Sequence, residues 1–125
     1  YTYEYWGELD RKVESPNSYQ RSIGLMLMAE NVRWDKDGKF GKSLDKYLTC
    51  CTDEKFITAR QAIQGLANVV ESTNEYDGRI REGLMHLSIA QYKDNQQRLL
   101  RKDISNTLKM IENKTQSKPK VTRKI

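Results

Sequence analysis

The sequence contains few of the residues on which disulfide-stapled, turn-rich or membrane-spanning proteins depend. Its 125 residues include 2 Cys, 2 Pro and 7 Gly. Two cysteines cannot staple a small secreted scaffold, and so little glycine and proline is not typical of collagen or of turn-rich sandwiches. No apolar run approaches the roughly 20 residues that cross a bilayer. We therefore expect no membrane span. With unpaired thiols and no visible secretion signal, we expect a cytoplasmic location.

Residues that bind metals or carry out catalysis are equally scarce. A single His and two Cys offer little for a zinc site. Residues 35–38 resemble part of a calcium loop, but Arg33 and Leu44 occupy the first and twelfth ligand positions, where acids are needed. No phosphate loop, nucleophile elbow or paired-carboxylate pattern occurs. We predict no metal, no cofactor and no catalytic residue.

The positive charge is concentrated near the end of the sequence. The chain has 22 basic and 17 acidic residues, a net charge of +5. Residues 113–125 hold five of the basic residues and no acid, so residues 1–112 are neutral. We predict a single domain over 1–112 followed by a basic, flexible tail over 113–125, which could attract phosphates.

Apolar residues recur at helical spacing, and no segment alternates with the period of a strand. We predict helices around the apolar rows, with Thr52 as the N-cap of a helix over 53–71 and another helix over 79–90. Asp94 is predicted to cap the final helix. The rows are Trp6, Leu9 and Val13; Ile23, Met26, Leu27 and Ala29; Phe40, Leu44, Tyr47, Leu48 and Cys51; Ala59, Ala62, Ile63, Leu66, Val69 and Val70; Ile80, Leu84, Leu87 and Ala90; and Leu100, Ile104, Leu108 and Ile111.

The helices form pairs that repeat. Residues 21–27 align with 60–66 at a shift of 39, and these align with 102–108 at a shift of 42. Each copy has a basic residue, an apolar residue two positions on and Leu six positions on. The sequence therefore predicts repeats at about 1–34, 39–71 and 78–112, whose apolar faces are buried jointly by stacking.

These residues resemble HEAT and armadillo-like helical repeats, and the middle copy matches best. It contains Thr52-Asp53-Glu54-Lys55, Thr58-Ala59-Arg60, Ala62, Leu66 and Val69. The resemblance implies a right-handed α-α superhelix, or solenoid, of about three helix pairs. It also implies structural roles for Asp53, near a helix start, and for Arg60, which would bond neighbouring repeats. The chain is further similar to small bacterial proteins built from such repeats, some of which bind or repair DNA.

The resemblance also implies that the second helix of each pair lines the concave side. Polar residues outside the apolar rows there are candidates for binding a partner: Gln61, Gln64, Asn68, Lys102, Asn106 and Lys109. The first hypothesis is a non-enzymatic scaffold or adaptor that binds a protein partner through this face. The alternative is a nucleic-acid-binding protein that uses the basic tail with Lys102 and Lys109. A third hypothesis, a repeat-based enzyme acting on DNA bases, is left open.

Overall fold

The computed structural model describes residues 6–35 and 38–123, with side chains up to residue 114. Residues 1–5 of the first predicted repeat, and 36–37 of the calcium-like turn, lie outside the described residues. No strand occurs in the described ranges, so the all-α prediction is confirmed. The helices are α1 (Trp6–Val13), α2 (Ser18–Asn31), α3 (Lys39–Cys50), α4 (Phe56–Ser72), α5 (Asp77–Met85) and α6 (Asp94–Arg123), with a 3-10 turn at Val32–Trp34.

The helices alternate between two layers. Helices α1, α3 and α5 contact one another in chain order in the first layer, and α2, α4 and α6 do so in the second. Each odd-numbered helix also packs on the even-numbered helix that follows it. We call α2, α4 and α6 the second-helix layer.

Helix α4 lies in the middle of the second-helix layer, and its apolar row is the most completely buried. All six predicted core residues of α4, Leu66 among them, have no exposed surface. The matching Leu27 and Leu108 pack against the same core but are only half-buried. Helices α2 and α6 each have one flank that no other helix of their layer covers, which explains the difference.

An aromatic cluster lies between α1, α3 and the start of α5. The ring of Phe40 meets Trp6, Tyr47 and Tyr76 edge-on, with centroid distances of 6.4, 5.6 and 5.3 Å. Such pairs each add about 0.5–1.5 kcal/mol beyond the burial of their area. Trp6 also donates a hydrogen bond to the Ser43 hydroxyl, so α1 is held to α3 by both apolar and polar contacts.

The predicted start of α4 is wrong by three residues. Thr52 does not cap the helix, because its hydroxyl donates back to the carbonyl of Thr49 and the helix begins only at Phe56. The Asp53 carboxylate instead accepts the backbone N–H of Lys55. An acidic side chain therefore does organise this turn, but from outside the helix.

Two further predictions are wrong: one concerns where a helix ends, and the other concerns which face of a helix is buried. Helix α5 ends at Met85 rather than Ala90, and Leu87 reaches the core from an irregular segment. In α2, Met26 is exposed whereas Leu25, Met28 and Arg21 are buried. Because α2 carries apolar residues on several sides, their spacing did not single out one buried row.

Helix α6 continues through the predicted boundary at residue 112 and extends to Arg123. Lys114, the first basic residue of the predicted tail, is bound to the folded helices. Its ammonium donates to the carbonyls of Val70 and Thr73 and to the carboxylate of Asp77. This places a cation at the carbonyl end of α4, where the helix dipole favours positive charge. The division into a domain and a tail stays a prediction.

Candidate binding face

The candidate residues lie on two adjacent parallel helices of the second-helix layer. The direction follows from two contacts, since Arg60 bonds Asp103 and Lys114 bonds Val70, at separations of 43 and 44 residues. A nearly constant separation means that α4 and α6 run side by side in the same direction. Any residue of α4 therefore lies level with the residue about 43 positions later.

That register brings the six predicted residues together as two matched rows. Gln61, Gln64 and Asn68 on α4 precede Lys102, Asn106 and Lys109 on α6 by 41, 42 and 41 residues. Each amide of α4 is thus within about 3 Å, measured along the axes, of the level of its counterpart. Gln61 is half-buried and the other five are exposed. We call this surface the amide–lysine face.

None of the six side chains has a hydrogen-bond or ion-pair partner among the described residues. By contrast, the neighbouring Arg60 is already engaged with Asp103 at 2.9 Å. The amide–lysine face therefore offers donors and acceptors that the fold itself does not use. Such groups are available to a partner's polar atoms.

Asp53 and Arg60, the two predicted repeat-motif residues, both form ion pairs that link successive helix pairs, but not with each other. The Asp53 carboxylate receives two bonds from the guanidinium of Arg21, at 2.7 and 2.9 Å, and both side chains are buried. These two hydrogen bonds raise the pKa of the Arg21 guanidinium above its ordinary value. Tyr92 donates to the backbone carbonyl of Asp53. Asp53 and Arg60 therefore fix the positions of α2, α4 and α6.

Two hollows open at the ends of the second-helix layer, and sequence reasoning missed both. One, of about 400 Å³, is lined by Asn68, Glu71 and Trp34, which is 61% exposed. The other, of about 480 Å³, is lined by Phe56 and by Tyr19 and Ile57, which are 70% and 75% exposed. No spacing signal distinguishes such exposed apolar residues from core residues.

Helix α6 also carries exposed basic residues that the prediction omitted. Arg98 and Arg101 are both exposed, and Arg98 lies one turn before Lys102. The signal that could have found Arg98 is the i, i+4 spacing from Lys102. The predicted face is therefore more basic than its six named residues suggest.

The two thiols are placed unfavourably for nucleophilic attack, and the histidine contacts the backbone of its own helix. Burial raises the pKa of Cys50 to about 11, and it raises the pKa of Cys51 still further. Both thiols are therefore protonated at neutral pH. His86 is exposed beyond the end of α5, with its Nδ1 atom 2.8 Å from the carbonyl oxygen of Glu82.

Within the described ranges, no three His, Cys, Asp or Glu residues come together as metal ligands. None of the helices in the part of the chain that the structure covers is both long and apolar enough to cross a membrane.

Comparison with known proteins finds no match: no family model, no curated protein and no solved structure is similar to the chain.

Proposed function

We propose that this chain is a HEAT-like stack of three helix pairs that acts as a scaffold and binds a macromolecular partner through its amide–lysine face. Two features support the repeat architecture: the helices alternate between two layers, and successive second helices contact each other in chain order. The pairing of Arg21 with Asp53 and of Arg60 with Asp103 supports it as well, because each ion pair joins one second helix to the next helix pair.

The single observation that carries the binding proposal is the row-by-row match of unused polar groups on α4 and α6. Gln64 and Asn106 lie nearly level, and neither has a partner within the described residues. A partner laid across both helices would meet amides on one side and ammonium groups on the other. Rigid packing beneath the face, with Leu66 and Leu100 fully buried, keeps the rows in place.

Site-specific photo-crosslinking tests the proposal. A photoreactive amino acid replaces Gln64, or, in a separate variant, Asn106, and the full chain is irradiated in native cell extract. We expect a discrete covalent adduct from both positions, because a partner on the face contacts both helices. Thr49 on α3 is the matched control, since it is neutral and exposed but lies in the other layer.

The pattern of adducts decides the outcome. Adducts at Gln64 and Asn106 but not at Thr49 support binding through this face. No adduct at Gln64 or Asn106, or an equal yield at Thr49, would contradict it. Treating the adduct with nuclease identifies the chemical class of the partner, because nuclease shortens an adduct with nucleic acid and leaves an adduct with protein unchanged.

A further inference from the structure

One helix carries a charge equal to that of the whole chain. Helix α6 contains eight basic and three acidic residues, a balance of +5 that matches the net charge of the protein. Residues 1–93 contain 13 basic and 14 acidic residues. The positive charge is therefore a property of one structural element, which begins well before the predicted tail.

Part of this charge forms an exposed stripe along α6. Arg98, Lys102 and Lys109 follow one another at spacings of four and seven residues, which places them on one side of a helix. They extend over about 16 Å of the helix axis at 1.5 Å per residue. All three are exposed and have no carboxylate partner among the described residues. We call these three residues the α6 stripe.

The nearest acids do little to neutralise the α6 stripe. Asp103, the acid within its span, is already paired with Arg60. The neighbouring row on α4 is uncharged over residues 61–70, and the first acid beyond it is Glu71. On α6 itself the next acids are Asp94 and Glu112, at the two ends of the stripe. A positive strip with the α4 amides on one side therefore extends along the α6 side of the amide–lysine face.

This composition fits a phosphate backbone better than a protein surface. Arginine, lysine and side-chain amides are the groups that contact phosphate and sugar in nucleic-acid complexes. The centres of protein interfaces instead favour aromatic residues and methionine and are poor in lysine. The α6 stripe consists of cations alone, and the exposed Trp34 lies at the far side of the α4 row, in the hollow lined by Asn68. Base stacking and membrane insertion both need aromatic or apolar residues, so neither is expected at this stripe.

We propose that the α6 stripe binds the sugar–phosphate backbone of a nucleic acid without reading its sequence. The inference rests on the proposed function, because it names the partner of the amide–lysine face. Since the positive groups follow one side of a helix, the nucleic acid lies along α6 with its phosphates against Arg98, Lys102 and Lys109. The amides of α4 then contact the same strand from the side.

Binding of a fluorescently labelled, mixed-sequence DNA duplex to the full chain tests this. Anisotropy is measured at about 50 and about 200 mM salt, because displaced counterions make phosphate contacts salt-dependent. The test variant combines Arg98→Gln, Lys102→Gln and Lys109→Gln. Its matched control combines Arg11→Gln, Lys42→Gln and Arg81→Gln, which removes the same charge from exposed positions on α1, α3 and α5.

We expect the test variant to lose three phosphate contacts, so its salt slope becomes shallower by about 2.7. The wild-type affinity then falls roughly 40-fold more than that of the variant over the same salt range. The control should keep the wild-type slope, and Arg98→Lys with Lys102→Arg and Lys109→Arg should bind like the wild type. Circular dichroism verifies that each variant keeps its helix content.

Three results would overturn the inference: no salt-dependent binding by the wild type, an equal loss in test and control variants, or competition by polyglutamate as strong as by unlabelled duplex. The photo-crosslinking outcome separates the two proposals. A nuclease-resistant adduct at Gln64 would leave the scaffold function standing while the nucleic-acid inference fails. The absence of any adduct there would contradict the scaffold function itself.

Discussion

Helices α2 and α4 meet at one joint, and α4 and α6 meet at a second. Each joint contains an Arg–Asp ion pair, and the two pairs differ in how deeply they are buried. At the α2–α4 joint, Arg21 and Asp53 form a forked ion pair whose side chains are 10% and 7% exposed. At the α4–α6 joint, Arg60 makes one bond to Asp103, and the side chains are 35% and 9% exposed, so only the arginine is partly solvated. Removing one partner of a buried pair leaves a charge without solvent, whereas water can take the place of a partner that was itself partly exposed. The α2–α4 joint therefore depends on its ion pair far more than the α4–α6 joint does.

The largest expected effect comes from breaking the buried pair. Arg21→Ala should lower the free energy of unfolding by about 3–5 kcal/mol, because Asp53 would remain buried without its cation. Urea denaturation measures the change. The double variant Arg21→Met, Asp53→Leu should recover part of the loss, since an apolar pair has no unpaired charge. A loss below about 1 kcal/mol for Arg21→Ala would show that the pair is solvated in solution.

Gly65 tests how closely α4 packs against Ala29 of α2 and Tyr47 of α3. A methyl group there would overlap the Tyr47 hydroxyl and lie 3.3 Å from the Cβ of Ala29. Gly65→Ala should cost about 1–3 kcal/mol, because Tyr47 must move and give up its bond to the Ala62 carbonyl. Gly78→Ala is the control, since no atom lies within 4 Å of the added methyl. Equal melting temperatures for the two variants would contradict the close packing at Gly65.

Lys114 tests whether the α4–α6 joint depends on the contacts at the carboxyl end of α4. Lys114→Ala should destabilise the protein by about 1 kcal/mol, because the carbonyls of Val70 and Thr73 and the Asp77 carboxylate lose a charged donor. Truncation after Lys114 retains this contact and should change the unfolding free energy by less than about 0.5 kcal/mol. If truncation costs as much as Lys114→Ala, residues beyond 114 also stabilise the fold.

The smallest effect is expected at Arg60. Arg60→Ala should cost about 0.2–1 kcal/mol, because the partly exposed Arg60 makes a single bond and its removal opens a path by which water reaches the Asp103 carboxylate. Repeating the measurement at high salt should reduce this cost further. A cost as large as that of Arg21→Ala would remove the contrast between the joints.

Helical periodicity predicted the centre of the fold well because burial there is complete. The rows of α3 and α4 match the structure: Phe40, Leu44 and Tyr47 are fully buried, as is every predicted core residue of α4. The alignment at a shift of 39 residues also placed Arg21 and Arg60 in corresponding helices, and each forms an ion pair with the next helix pair. Repetition is visible in sequence because each copy must present the same face to its neighbour.

What the sequence did not predict depends on contacts between distant residues. Arg21 reads as a polar surface residue, yet its partner Asp53 lies 32 residues away and allows it to be buried. The end of α5 was misplaced because Leu87 continues the helical spacing while its backbone does not. The candidate face was named residue by residue, and its basic extension to Arg98 was missed although Arg98 lies one turn before Lys102 in the helix predicted from Asp94.

The location of the charge in α6 has a consequence for how the protein meets other molecules. Because residues 1–93 carry nearly balanced charge, the molecule has a permanent electric asymmetry, positive along one edge. Near a negatively charged molecule, the protein experiences a torque that turns α6 toward that molecule before the two make contact. At physiological ionic strength this orienting force acts only over about 8 Å, so it selects the angle of the final approach rather than the path.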